Sequence, residues 1–237
     1  MFSWNIRKNA RAFTYKEDVF VKTLMIGFRD HCQRYGAFLH QVNLNDVAFK
    51  WSPYMEEQLE TQGVMGSWGL GTPNTIYLVP YTNTVPHTSV YSIGDEKMIM
   101  TGSHLLNPDM ASTIVHELTH RWQFKTAPIR YLLNRLCTLI WNHIPGLKEL
   151  TIEGDAERNS TSNKEVYQFF QKVNETYDNY IYYQRCSWKR EVYESDTTKT
   201  DEDRQIAKEQ EQIASDQYHS QEPIYQDLAK YLFNIVK

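Results

Sequence analysis

The amino-acid sequence predicts an α+β fold: a small mixed or antiparallel sheet packed on a central helix, followed by a mainly helical C-terminal part. Three observations predict it. Short runs rich in β-branched and aromatic residues, TIYLVP at 75–80 above all, cluster in the first half of the chain. A strong helix start, Asn107-Pro108, comes directly after them. Beyond residue 153 the apolar periodicity is helical almost to the end.

The bulk composition bounds what such a fold does. A chain of 237 residues, 41% hydrophobic and 14% aromatic, is long and apolar enough to bury a core. Its net charge of −4 leaves no electrostatic footprint for nucleic acid, so no nucleic-acid partner is expected. Cys32, Cys137 and Cys186 are odd in number, widely separated and free of any Cys-x-x-Cys pair. They point to three reduced thiols, not to a disulfide scaffold or a cysteine-only metal site. The opening segment, MFSWNIRKNARAFTYKED, is basic but lacks the apolar stretch of a secretory signal, so a cytoplasmic protein is expected. The sequence leaves the oligomeric state open.

Taken in order, residues 18–35 carry apolar positions at helical spacing and predict a packed helix. The glycine cluster GVMGSWGLGTPN at 63–74 predicts a loop leading into the strand at 75–80. Two further strands are expected at 89–93 and 97–101, joined through Gly94-Asp95. The helix opened by Asn107-Pro108, with Asp109 in its first turn, should end near Thr126 because Pro128 disfavours helical geometry at Ala127. A second helix is expected over 129–142, before Pro145-Gly146. The apolar stretch 129–144 is broken by Arg130, Asn134, Arg135 and Asn142 and is too short to span a bilayer. Burial behind the preceding helix is the expectation for it. The weaker alternative sets it on an anionic lipid surface, with Lys125 and Arg130 as basic neighbours. Residues 164–186 predict another helix, 191–212 a solvated helix or linker, and 223–236 a short amphipathic helix. A division at 187/188 would separate the main domain, 1–187, from a polar helical extension, 188–237.

Chemistry concentrates in VHELTH, 115–120. On a helix, residues four apart lie one above the other, so His116 and His120 can present two imidazoles to one metal ion. Glu117 is turned by roughly 100° from His116, which sets its carboxylate beside such an ion, where a general base for a bound water belongs. The plain alternative is a pair of ordinary helix histidines. Context weighs against it, because Ile114, Val115, Leu118 and Trp122 supply an apolar face for the rest of the helix.

A catalytic zinc site needs a third protein ligand. LTIEGDAER at 150–158 offers Glu153, which follows His120 by 33 residues and is followed by Gly154, where a small residue permits close helix approach. Glu157 and Asp155 are equal candidates to accept a hydrogen bond from a ligating imidazole. The rival ligand is His143, whose place just before Pro145 better suits a packing role.

These residues resemble the gluzincin branch of the zinc metallopeptidases, which pair His-Glu-x-x-His with a later glutamate, often in Glu-Gly-x-Ala. The match is His116-Glu117-Leu118-Thr119-His120 with Glu153-Gly154-Asp155-Ala156, and it extends over residues 75–158. Metzincins continue with Gly and a third His, where this chain has Gln123 and Thr126. SprT-type proteases share the HELTHRW flavour and are the alternative reading, but they take a histidine as third ligand, for which only His143 could serve; deformylases need a cysteine run that is absent here.

The resemblance implies a zincin-like fold, bound zinc and a peptide or protein substrate. It implies that Glu117 takes a proton from a metal-activated water and passes it to the leaving amine. A strand such as 75–79 would bind extended substrate by β-augmentation. A downstream Tyr or His would polarise the scissile carbonyl, and Tyr167, Tyr177, Tyr180, Tyr182, Tyr183, Tyr218 and His219 are all candidates. The competing class is a binding or structural protein that keeps a zincin scaffold without turnover.

Overall fold

A computed structural model describes residues 9–52, 69–71, 74–78, 88–93, 96–101, 104–141, 151–160 and 163–237. The chain divides into two compact units: Met1–Thr82 with Asn107–Phe170, and Asn83–Leu106 with Gln171–Lys237.

The first unit is α+β. Its sheet comprises β1 (Arg11–Ala12), β2 (Ala48–Trp51), β3 (Gly69–Gly71) and β4 (Thr75–Leu78), in the order β1-β2-β4-β3. The sheet is mixed: β2 runs parallel to β4, while β1 and β3 are antiparallel to their neighbours. Phe49 and Trp51 alternate with Lys50 and are buried, as period-two strands on a core require. Phe13 stacks on both, 5.5 Å from Phe49 and 4.5 Å from Trp51.

Helix α1 (Tyr15–His31) begins with a capping box in which Thr14 and Glu17 satisfy each other's backbone donors. Glu17 also accepts from Arg11 and from the Trp51 indole at 3.1 Å, tying the helix start to the sheet. Phe20, Val21, Leu24, Met25 and Phe28 form its buried stripe. Phe28 meets Phe169 and Phe170 at 5.6 and 5.2 Å. The predicted helix over 18–35 breaks at Cys32 and resumes as the short α2 (Gln33–Gly36). A Cβ on Gly36 would lie 2.6 Å from Arg29 Cα, so the close turn admits only glycine.

Helix α3 (Pro108–Thr126) has the predicted bounds, with Asn107 accepting from Asp109 N and Pro108 in the first turn. α4 (Pro128–Trp141) follows it, then α5 (Ile152–Asn159), capped by Thr151, and the start of α6 (Lys164–Ser195). The burial expected for 129–144 fails over 129–134, the part whose side chains are described. Tyr131 is buried, but Ile129, Leu132 and Leu133 are 75%, 54% and 58% exposed, because α4 docks by its Tyr131 side.

Two strand expectations also change. Part of the predicted glycine loop is β3, which pairs Gly69 with Leu78 and Gly71 with Ile76. β4 is therefore hydrogen-bonded on both edges and has no edge left for a substrate strand, which corrects the proposed β-augmentation at 75–79. The outermost strand on that side, among the described residues, is β3.

The second unit holds the antiparallel hairpin β5 (Thr88–Ile93) and β6 (Glu96–Thr101), close to the predicted strands. It also holds α6 from Gln171, α7 (Asp201–His219) and α8 (Pro223–Val236). The stretch 191–212 is the end of α6, a turn and the first part of α7, whose Ala207 and Ala214 are buried at a seven-residue spacing. Arg190 bonds to Glu211 and Glu194, joining α6 to α7. Tyr180 packs on Tyr218 at 4.9 Å and Phe233 at 5.2 Å. Residue 187 lies inside continuous α6. No helix among the described residues is long and apolar enough to cross a membrane.

Candidate metal centre

Helix α3 is buried on nearly every side. Met110, Ala111, Ile114, Val115 and Leu118 are 0% exposed, so they hold the helix in the core of the first unit. Its buried hydroxyls bond back to carbonyls one turn earlier, Thr113 to Asp109 O and Thr119 to Val115 O. Arg121 reaches Asn74 Oδ1 and the Asp46 carbonyl, and Trp122 Nε1 donates to Gln41 Oε1 at 2.9 Å. These contacts fix the rotation of α3 and so the direction of its histidines.

Nε2 of His120 lies 3.1 Å from Nε2 of His116, with the rings nearly perpendicular. Oε2 of Glu153, from the first turn of α5, lies 3.2 Å from the His120 nitrogen and 3.3 Å from that of His116. Thr151 caps α5 by accepting from Gly154 N, and buried Gly154 and Ala156 let it approach α3. Among the described residues, His116, His120 and Glu153 form a group that could hold a metal ion.

The outer nitrogens explain which way the imidazoles are poised. Gln123 donates from Nε2 to the Ile152 carbonyl at 3.2 Å and to Asp155 Oδ2 at 3.0 Å. Its amide orientation is thereby set, and Oε1 faces Nδ1 of His120 at 3.0 Å. That nitrogen is the donor, which leaves Nε2 with a lone pair in the neutral ring. Ser160 works similarly on His116. Its hydroxyl donates to Ala156 O, so at 3.3 Å it accepts from Nδ1 of His116. In the neutral rings both Nε2 lone pairs turn towards the Glu153 oxygen, and a protonated ring donates to it from the same atom.

Comparison with protein-family models, with curated proteins and with solved structures finds no match to the chain. What the centre can do follows from its atoms.

Three acceptors at such spacing repel one another unless a cation or proton lies among them. The electrostatics reflect this. Burial pushes the Glu153 carboxyl up, but hydrogen bonds and charge from His116 and His120 overcome it and hold it far below the usual carboxylate range. Burial lowers His120, yet its bond to Glu153 and the charges of Glu153 and Glu117 raise it overall. Glu117 is itself 6% exposed, and its charge acts on the centre. The Glu153 side chain is 35% exposed, so the centre opens to solvent on that side.

Of the two predicted outer partners, Asp155 stands one step removed: it holds Gln123, which holds His120. Glu157 is half-buried further along α5. The direct partners, Gln123 and Ser160, were missed by the sequence reading. Gln123 had a signal, since it lies three residues after His120 on the same helix face; Ser160 had none. His143 lies outside the described residues.

Tyr167 belongs to the first unit, and the other six oxyanion candidates to the second. The Tyr218 hydroxyl donates to the Gln226 carbonyl at 2.9 Å, and burial helps push its pKa up to about 12. Tyr131 was not among the candidates, yet its ring stands edge-on to His120 at 6.1 Å. Burial and the charge of Glu165 push the Cys32 thiol up to about 11, and burial also raises Cys186, as expected of inert reduced cysteines.

Proposed function

We propose that the chain is a zinc-dependent peptidase of gluzincin type, with His116, His120 and Glu153 as metal ligands and Glu117 as general base. One observation carries this reading: the three facing atoms are 3.1, 3.2 and 3.3 Å apart. Zinc ligands at tetrahedral geometry and zinc's usual bond lengths stand about 3.3 Å from one another. Two neutral imidazoles and one carboxylate are also a donor set suited to catalytic zinc, which keeps a fourth position open.

Bound there, zinc would supply Lewis acidity to a peptide carbonyl and lower the pKa of a water to about 7. Glu117 then does the proton work, taking a proton from the attacking water and handing it to the leaving amine. Gln123 and Ser160 keep the imidazoles in the ligating tautomer throughout. β3, the outermost strand on that side among the described residues, offers main-chain groups to an extended peptide, a role that β4 cannot fill. Peptide and protein chains are accordingly the substrate class.

The test is metal analysis and cleavage of an unstructured peptide library by three proteins. Wild type should carry about one zinc per chain and cleave, as expected for a catalytic site with three protein ligands. Glu117→Gln should keep zinc and lose cleavage, and Glu153→Ala should lose zinc. Metal-replete purification that yields zinc-free protein would overturn the metal assignment. Full zinc occupancy without cleavage would instead make the chain a non-catalytic metal protein.

A further inference from the structure

Helix α4 is turned the unexpected way round. Its sequence, PIRYLLNRLCTLIW, carries apolar residues at three- and four-residue spacing, a stripe that ordinarily faces a core. Here Tyr131 is 7% exposed, whereas Ile129, Leu132 and Leu133 are 75%, 54% and 58% exposed. The Tyr131 ring stands edge-on to His120 and, at 5.6 Å, to Phe124, so this side docks α4 on α3. The aliphatic side looks outward. No other helix carries more than two exposed large apolar side chains among the described residues, whereas these three fall within five positions.

Along the chain, the charge carried through this helix has one sign. From Arg121 to Lys148 the sequence contains Arg121, Lys125, Arg130, Arg135 and Lys148 but no Asp or Glu, in a chain whose net charge is −4. Arg130 is exposed on α4 next to the aliphatic residues, and Lys125 is exposed in the last turn of α3, its ammonium 3.5 Å from the Gln41 carbonyl. A second copy docking here about a two-fold axis would set these cations against themselves, which disfavours self-association. An outward aliphatic helix with exposed cations on its flank instead matches the interface of an anionic bilayer.

We propose that α4 is an interfacial helix that seats the first unit on an anionic phospholipid surface. Ile129, Leu132 and Leu133 enter the boundary between headgroups and acyl chains, while Lys125 and Arg130 meet the lipid phosphates. Attachment is peripheral, since no helix among the described residues is able to span the bilayer. It does not depend on the peptidase assignment.

The test is flotation of the full chain, with and without chelator, on vesicles of phosphatidylcholine alone or mixed with phosphatidylglycerol. Wild type should float with the mixed vesicles only, less so at high salt, and equally with chelator present. Leu132→Ser with Leu133→Ser, and separately Lys125→Glu with Arg130→Glu, should each cut binding about tenfold or more while leaving the circular-dichroism spectrum unchanged. Failure of wild type to bind anionic vesicles would overturn the proposal, as would undiminished binding by the leucine variant. A dimer in sedimentation that the leucine variant abolishes, without vesicle binding, would assign the face to a second copy. Binding of poly-glutamate in place of vesicles would assign it to an acidic protein partner. Either result overturns the lipid assignment.

Discussion

Gln123 holds Nδ1 of His120 at 3.0 Å through its amide oxygen while its amide nitrogen is held by Asp155 and the Ile152 carbonyl. The imidazole is therefore oriented by a helix other than its own, through one intervening side chain. Replacing Gln123 with Leu keeps the bulk but removes the acceptor. Metal affinity should fall roughly 10–100-fold, read by competition with a chelating dye, with the thermal transition shifted little in the chelated protein. An unchanged affinity would mean that the His120 tautomer is set elsewhere.

Ser160 offers a milder version of the same experiment. Ser160→Ala removes the oxygen facing Nδ1 of His116, and it also removes the donor to Ala156 O. Metal affinity should drop by about tenfold, and Ser160→Thr should recover most of it. Equal loss in both variants would indicate packing rather than hydrogen bonding.

Away from the centre, Glu17 should govern acid stability. Burial pushes its carboxyl up, but hydrogen bonds from Arg11, Thr14 and Trp51 outweigh this and bring it to about 2. A group whose folded pKa lies below its unfolded value stabilises the fold above the unfolded pKa and loses that contribution as pH falls. Unfolding followed by fluorescence from about pH 5 to pH 2 should show wild type losing its advantage over Glu17→Gln, a difference of about 1 kcal/mol after solvent screening. Parallel pH profiles for the two proteins would exclude this role.

Gly36 tests the packing of α2 on α1. A Cβ there would lie 2.6 Å from Arg29 Cα, a backbone atom that cannot swing aside. Gly36→Ala should cost about 1–3 kcal/mol in denaturant unfolding, whereas in an open helix the same change would be stabilising. Neutral behaviour would show that the turn relaxes.

What the sequence made legible divides by range. Asn107-Pro108 and Pro223 mark helix starts through chemistry confined to a few residues, and α3 and α8 begin where those marks fall. β1 and β2 are two and four residues long, too short for periodicity, and owe their strand geometry to partners far along the chain. β3 is read as loop from its glycines because only the β4 ladder makes it a strand. At the centre, His116, His120 and Glu153 were visible because ligand spacing is itself a sequence pattern. The orientation of α4 was not, since an amphipathic stripe tells which residues share a face but not which way the face turns.

The buried hydroxyls and imidazoles of α3 are served close by: Ser112, Thr113 and Thr119 by carbonyls of the same helix, and the two imidazoles by Gln123 and by Ser160. In engineering terms, residues 107–126 and 151–160 form a cassette that wires its own imidazoles, while Arg121 and Trp122 set its rotation through Asn74, Asp46 and Gln41. Grafted between other apolar layers at the same helix spacing, the pair would carry its histidine tautomers and its carboxylate along, leaving specificity to whatever strand the new host sets beside them.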